Sequence, residues 1–355
     1  MDIAGGRSAR RVSAATAAYA TIIGLLGAHY VLSSVNQLGA DLTIVAAGLP
    51  IAVLTAARGL PAGIVGLAIM SLAPIDSVQL GLADAVAEFC AIAAAGLFGC
   101  GLGIAIGQEA AAHDRTLRIV TERLRRLKGP PGYWHTAATT RTGLYVTGFE
   151  ADFISEALAA REPGVVADIG AGSGRLAFAM APHAKVVVAT EIDIDELALT
   201  EDDYGVTPVA VGAGETLPFR DASLDWVVAI EAPAVSEQAW FMEECRRVLK
   251  PGGGLVLMVY NGRSYKGLAA RMRRALRAGP HWTSMYYQQP LASHLRQWAD
   301  AGFPAVRKQG FYWAPVGRVS NSPLVTVTAV LERVAHLWRL AAVSPWVMVE
   351  LRKRD

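Results

Sequence analysis

The sequence predicts two architectures in one chain. An all-α transmembrane bundle of about four helices comes first, and a doubly wound, mainly parallel α/β sheet follows. Three observations carry this: the uneven distribution of charge, the alternation of short apolar runs with helical patterns after residue 150, and a glycine turn after the first of those runs. Of 355 residues, 33 are basic and 31 acidic, so 18% are charged while 53% are hydrophobic; soluble domains average about 25% charged. The mean hydropathy is +0.32. A net charge of +2 excludes a nucleic-acid binder built on bulk charge, and the apolar content excludes disorder. Between residues 12 and 108 the only charges are Asp41, Arg58, Asp76, Asp84 and Glu88. Residues 109–355 are about 22% charged, near the soluble norm.

The first part, residues 1–110, reads as membrane. A spanning helix needs roughly 20 apolar residues. Residues 14–33 and 82–107 meet this, and 42–57 and 60–75 are shorter, separated by Arg58 and Gly59. Pro50 marks a kink in the second span. Arg7, Arg10 and Arg11, then Arg58, then Arg115, Arg118, Arg123, Arg125, Arg126 and Lys128 fall on one side of a four-span bundle. The loops at 34–41 and 76–81 carry no Lys or Arg. Basic loops stay cytoplasmic, so this pattern predicts a multi-pass protein of the cell membrane with both termini and the second domain cytoplasmic. Gly99, Gly103 and Gly107 form a bare helical strip for close packing, within the bundle or in a homodimer. Asp84 and Glu88 share a face at the expected outer interface. Cys90, Cys100 and Cys245 form no CxxC, which argues against disulfides and against a metal site.

Residues 111–150 read as a basic connector. Thr116–Leu127 is an amphipathic stretch suited to anionic headgroups, broken by Gly129-Pro130-Pro131-Gly132. Within 151–355, apolar runs at 164–169, 185–190, 206–211, 224–230 and 254–260 read as strands. Pro208 confines the third to an edge. Helical patterns lie between them, at 175–180 and 238–249, and this βαβ rhythm gives a parallel sheet covered on both faces. A long apolar stretch at 323–343 reads as a helix with a polar stripe of Glu332, His336 and Arg339, either a core helix or a second membrane-surface contact, and 346–351 as a final strand at the sheet edge.

The chemistry begins at Val165-Val166-Ala167-Asp168-Ile169-Gly170-Ala171-Gly172-Ser173-Gly174. Glycines after the first strand let a ligand approach the backbone, and the next helix offers its N-terminal N–H groups. Glu191 ends the second strand, 17 residues past Gly174, where a carboxylate can accept both hydroxyls of a ribose. These two features fit a nicotinamide dinucleotide or S-adenosylmethionine.

Two later phrases complete a series: Leu217-Pro218-Phe219-Arg220-Asp221 before the fourth strand, and Glu243-Glu244-Cys245-Arg246-Arg247-Val248-Leu249-Lys250-Pro251-Gly252-Gly253-Gly254 before the fifth. In this order the four motifs resemble the class I, Rossmann-like S-adenosylmethionine-dependent methyltransferases, in the branch that includes quinone and small-lipid enzymes. The resemblance covers about residues 150–315. It implies that Gly170, Ala171, Gly172 and Gly174 pass beneath the methionine part of the cofactor and that Asp168 fixes that loop and the cofactor amino group. It also implies that Glu191 binds the ribose and that Ile192 packs on adenine. The family commonly has an Asp before Leu-Pro-Phe. Here Ala213 stands there, so adenine recognition shifts to backbone groups near Ala213 and Gly214.

A hydroxyl acceptor calls for a base, for which Glu231, after the fourth strand, and His281 are the candidates. Arg263, Lys266, Arg271, Arg273, Arg274 and Arg277 follow the fifth strand, with Leu268, Met272, Ala275 and Leu276 as the apolar side of the same helix. Such a helix can lie on an anionic membrane face, bind a substrate phosphate, or simply be a soluble surface. No nucleic-acid module accompanies these basic residues. The sequence thus predicts a methyltransferase acting on a membrane-associated acceptor: a lipid, an isoprenoid or quinone, or a lipid-linked glycan. The alternative is a membrane sensor or scaffold whose domain binds the cofactor without catalysis.

Overall fold

The computed structural model describes residues 82–126, 133–199, 205–212, 214–276 and 286–354. The expected spans at 14–33, 42–57 and 60–75 lie outside them, as do Ala213 and His281. The chain divides into two compact units, Met1–Ala111 and Ala112–Asp355. Among the described residues no helix is long and apolar enough to cross a membrane.

One helix, α1, runs over Leu82–Arg126. The basic connector expected at 111–150 is therefore corrected. Residues 112–126 continue this helix, and Arg141–Ala159 form a second, α2, capped by Thr140, whose hydroxyl accepts the Gly143 N–H. Val120 packs with Ala138 and Leu144, so this stretch helps build the second unit. The reason lies in α2, whose Leu144, Val146, Phe153, Ile154 and Leu158 are all buried. An apolar face of that length has to be covered.

The sheet has seven strands in the order β3-β2-β1-β4-β5-β7-β6. These are β1 Gly164–Ile169, β2 Ala184–Glu191, β3 Val206–Ala210, β4 Leu224–Ala229, β5 Leu249–Tyr260, β6 Ala305–Phe311 and β7 Trp346–Arg352. Strands β1 to β5 pair in parallel, and β7 runs antiparallel to both β5 and β6. Pro208 sits in edge strand β3, where its missing N–H costs no ladder bond on the open side.

Successive strand residues point to opposite faces, so the apolar runs feed two cores. Val166, Val228 and Val256 pack with Phe153, Ile154 and Leu158 of α2 on one face. Their neighbours Ala167, Val227 and Leu255 pack on the other face, against Phe241 and Cys245 of helix α3 (Ala239–Val248) and Trp298 of a later helix. Burial on both faces explains why these strands are continuously apolar rather than alternating.

Strand β5 begins earlier than expected, at Leu249. The Lys250–Gly253 phrase is absorbed as a register shift, with Leu224 opposite Leu249 and Trp226 opposite Gly254. Lys250 Nζ lies 2.8 Å from an Asp225 oxygen that also accepts the Val165 N–H, so this phrase ties β5 to β4 and β1. After β5 come helices α4 (Tyr265–Ala275) and α5 (Leu291–Asp300).

Strand β7 is not at the edge. Strand β6 pairs outside it, and the charges Arg307 and Lys308 within β6 hide the strand pattern in the sequence. The expected helix at 323–343 is shorter: α6 spans Leu324–Val334, and His336 beyond it adopts φ +50°. The expected stripe of Glu332, His336 and Arg339 therefore does not form.

A β-carbon at Gly254 would lie 2.3 Å from the Trp226 ring. Gly254→Ala is expected to cost about 1–3 kcal/mol by overpacking. Thermal unfolding should show a lowered midpoint, whereas substitution at Gly253 should act through its own backbone contact and leave the Trp226 environment unchanged.

Candidate active site

The candidate site forms at the carboxyl ends of β1, β2 and β4, at the point where the strand order reverses. Gly170, Gly172 and Gly174 adopt φ of +70°, +56° and +74°. Only glycine enters that region without strain, which is why the turn needs all three. The Gly170 and Ala171 N–H groups donate to the Thr190 carbonyl at 3.0 Å and fasten the turn to β2. On the other side, the buried Arg123 guanidinium of α1 donates to the Ser173 and Gly174 carbonyls. Read from sequence as a residue facing headgroups, Arg123 instead braces the loop from outside the glycine motif.

Glu191 faces the same cavity. Its Oε2 accepts the Gly172 N–H at 2.8 Å, and its Oε1 accepts the Ile192 and Asp193 N–H groups at 2.7 and 3.1 Å. Ile192 is exposed beside it, as an apolar group awaiting a flat partner must be. Asp168 is buried under the loop; burial pushes its carboxyl up to about 7, against the pull of Arg175 and Arg123. Gly214 lines the far wall, together with Leu217 and Pro218. The cavity these groups enclose measures about 770 Å³. Of the residues expected to hold a cofactor, Asp168, Gly170, Ala171, Gly172, Glu191, Ile192 and Gly214 line this one space; Gly174 closes the turn behind it, and Ala213 lies outside the described residues.

A buried ionic chain, which the motifs did not announce, adjoins the glycine turn and contributes Arg175 and Glu231 to the cavity lining. Arg175, just past the glycine loop, donates to Glu150 Oε2 at 2.7 Å, to the Thr147 hydroxyl at 2.9 Å and to Glu231 Oε2 at 3.0 Å. Arg318 holds Glu231 from the other side at 2.9 and 3.1 Å. Glu231 sits at φ +54°, a conformation that non-glycine residues adopt only when their surroundings enforce it. Burial alone would raise its carboxyl. Arg318 and Arg175 outweigh that and hold it below the usual carboxylate range. Burial pushes Glu150 up to about 7, and Arg175 only partly offsets it.

This geometry gives no support to the general-base role expected for Glu231. Both oxygens already accept guanidinium N–H bonds and the charge is stabilised, so the group is a poor proton acceptor. It positions two arginines instead. Arg175 was legible only as a helix-start residue. Glu150 and Arg318 lie far away in the chain, and nothing local marks them.

Glycines at positive φ, a strand-end carboxylate and a helix beyond define a nucleotide-cofactor domain. Comparison with known proteins gives the kind. Residues 167–257 match the methyltransferase domain family. The malonyl-acyl-carrier-protein O-methyltransferase of Geobacter sulfurreducens is 32% identical over 34% of this chain and 47% of its own. The ubiquinone/menaquinone biosynthesis C-methyltransferase of Bordetella avium is 38% identical over 28% of this chain and 42% of its own. The chain thus spans about half the length of these curated relatives. A crystal structure of an S-adenosylmethionine-dependent methyltransferase from Aquifex aeolicus aligns over 57% of this chain and 89% of that one, at 14% identity and TM-score 0.38. The chain carries a class I S-adenosylmethionine-dependent methyltransferase domain, and S-adenosylmethionine is its cofactor.

The residues present fit that cofactor. A β-carbon at Gly172 would meet nothing within 4 Å, so the loop leaves open space beside its backbone. The buried Asp168 carboxyl also lacks a full countercharge, which the cofactor ammonium supplies. Two predictions follow from this. Affinity for S-adenosylmethionine, measured by calorimetry, should rise as pH is raised through about 7 and Asp168 ionises. Asp168→Asn should weaken binding at least tenfold and flatten that slope, a loss of about 1.4 kcal/mol or more. Glu231→Gln should lower turnover through lost positioning while leaving the shape of the pH–rate profile intact; loss of the acidic limb would restore Glu231 as the base.

Proposed function

We propose that this chain transfers a methyl group from S-adenosylmethionine to a membrane-associated acceptor at the cytoplasmic face of the cell membrane. Lipid, isoprenoid or quinone, and lipid-linked glycan are the acceptor classes. The observation that carries the membrane part is the sequence of residues 12–108, which holds five charges and four apolar stretches. The Bordetella avium relative, named for quinone biosynthesis, supports an acceptor of that kind.

When bound, the cofactor supplies an activated methyl on a sulfonium, so positioning carries much of the rate. Effective molarity can be worth roughly 7–11 kcal/mol. The glycine turn and Asp168 would fix the methionine end, and Glu191 the ribose. Arg175, Glu231 and Arg318 form a rigid wall whose groups already pair with one another, so little has to rearrange when an acceptor arrives. The location of Arg175 and Glu231 at the carboxyl ends of the strands, beside the glycine turn, supports a role near the acceptor.

The test is methyl transfer from labelled S-adenosylmethionine into the extracted lipid fraction, with and without Gly172→Arg. At φ +56° and with open space ahead, the arginine should fill the cradle and abolish labelling. Label found only in small soluble molecules would overturn the membrane acceptor. Binding of neither S-adenosylmethionine nor its demethylated product to the full chain would overturn the enzyme reading.

A further inference from the structure

Two helices of the methyltransferase unit are partly inverted for a water-exposed surface. A surface helix normally buries its large apolar residues and exposes its polar ones. In α6 the buried positions are Val325, Ala329, Val330 and Glu332, while Leu324, Val327 and Leu331 are 48–53% exposed. In α4 the buried positions are Gly267 and Ala270, while Leu268, Met272 and Leu276, at and just past its end, are 51–75% exposed. Each set repeats at three to four residues and so makes one stripe along its helix.

The inversion is held in place. Glu332, the only acid between residues 312 and 343, turns inward and accepts the Trp313 N–H at 2.8 Å and the Tyr145 hydroxyl. Tyr265 of α4 donates to the carbonyls of Trp313 and Ala314 at 2.9 and 3.0 Å. Lys266 stands 3.4 Å over the Tyr312 ring and donates to the Val316 carbonyl. Both helices are therefore fastened to the same segment, 312–316.

Charge on the two segments themselves is basic, with the exposed Asp152 of α2 near Arg333 as an acid beside them. Arg263, Arg271, Arg273, Arg274, Arg333 and Arg339 are exposed. Residues 262–276 contain no acid, and the one acid of 312–343 is buried. Large aliphatic groups flanked by more arginines than carboxylates fit a surface that is apolar within and anionic at its rim. Consecutive residues connect this surface to the site: Val319 is exposed beside α6, and Arg318 is buried holding Glu231.

We propose that the outer faces of α4 and α6 dock on an anionic phospholipid bilayer, with Leu268, Met272, Leu276, Leu324, Val327 and Leu331 at the level of the acyl chains and the arginines among the headgroups. This deepens the membrane-acceptor reading and rests on it. Docked this way, the unit sets the segment carrying Arg318, which holds Glu231 of the cavity lining, beside the lipid from which an acceptor would come.

The test uses the full chain in nanodiscs of phosphatidylcholine, with or without phosphatidylglycerol. A fluorophore is attached at Met272→Cys, Val327→Cys or Leu331→Cys, and at exposed Glu243→Cys as reference, with Cys90 and Cys100 replaced and the buried Cys245 retained. Quenching by lipid-borne nitroxide should be several-fold stronger at 272, 327 and 331 than at 243, and should weaken without phosphatidylglycerol. Quenching equal to that at 243 overturns the proposal. So does shielding from both lipid-borne and aqueous quenchers, which means that protein covers the face. Labelled methyl transfer to lipid, measured in the same discs, separates the two readings. Transfer without lipid contact at these sites sinks the docking face alone, and lipid contact without transfer sinks the acceptor alone.

Discussion

Arg175 is the group on which the arrangement of the site depends. It follows the glycine turn by one residue, and its guanidinium joins α2, through Glu150 and Thr147, to the end of β4, through Glu231. Arg318 extends the chain to the segment before α6. Four elements distant in sequence are thereby set in one geometry. A buried ion pair is weak evidence for stability, since desolvation consumes much of its attraction. Here the network is better understood as fixing position: it holds Glu231 in a left-handed backbone conformation and presents a fixed charged wall to the cavity. Removing one member would strand an uncompensated charge, commonly about 3–5 kcal/mol.

The cofactor side depends on a different economy. It uses backbone rather than side chains, with three glycines at positive φ anchored to the Thr190 carbonyl and braced by Arg123. Such a cradle is insensitive to most surface change and strained by a β-carbon at any of its three positive-φ glycines. Asp168 is the exception, a single buried carboxyl whose ionisation is poised near neutrality by burial. The two walls of the cavity thus differ in kind: one is preorganised by conformation, the other by paired charge.

Much of this was legible in the sequence. Strands β1, β2, β3 and β4 lie within a residue or two of the apolar runs; for β1 and β4 burial on both sheet faces leaves an unbroken hydrophobic signal. The glycine turn and Glu191 were legible because a turn chemistry and a strand end are local features. Strand β6 was not, because an edge strand carrying Arg307 and Lys308 has one face to lose and no alternation to show. Helix α2 was hidden behind its basic neighbours, and α6 was overextended because the left-handed turn at His336 has no glycine to announce it. The polar stripe on α6 was misplaced for a deeper reason: its single carboxylate looks like the solvent side until Trp313 and Tyr145 are seen to claim it.

The sequence by itself determined the split in composition, the parallel α/β order, the cofactor turn and the acid across from it, since each depends on residues close together in the chain. Only the tertiary structure decided that Glu231 positions arginines rather than accepting a proton, that Arg123 braces the loop, and that α4 and α6 turn their large apolar residues outward. Those outcomes depend on which distant residues meet, and a side chain's role is set by its partners rather than by its type. Glu150, Arg175, Glu231 and Arg318 are separated by up to 168 positions, and nothing short of the fold brings them within hydrogen-bonding distance.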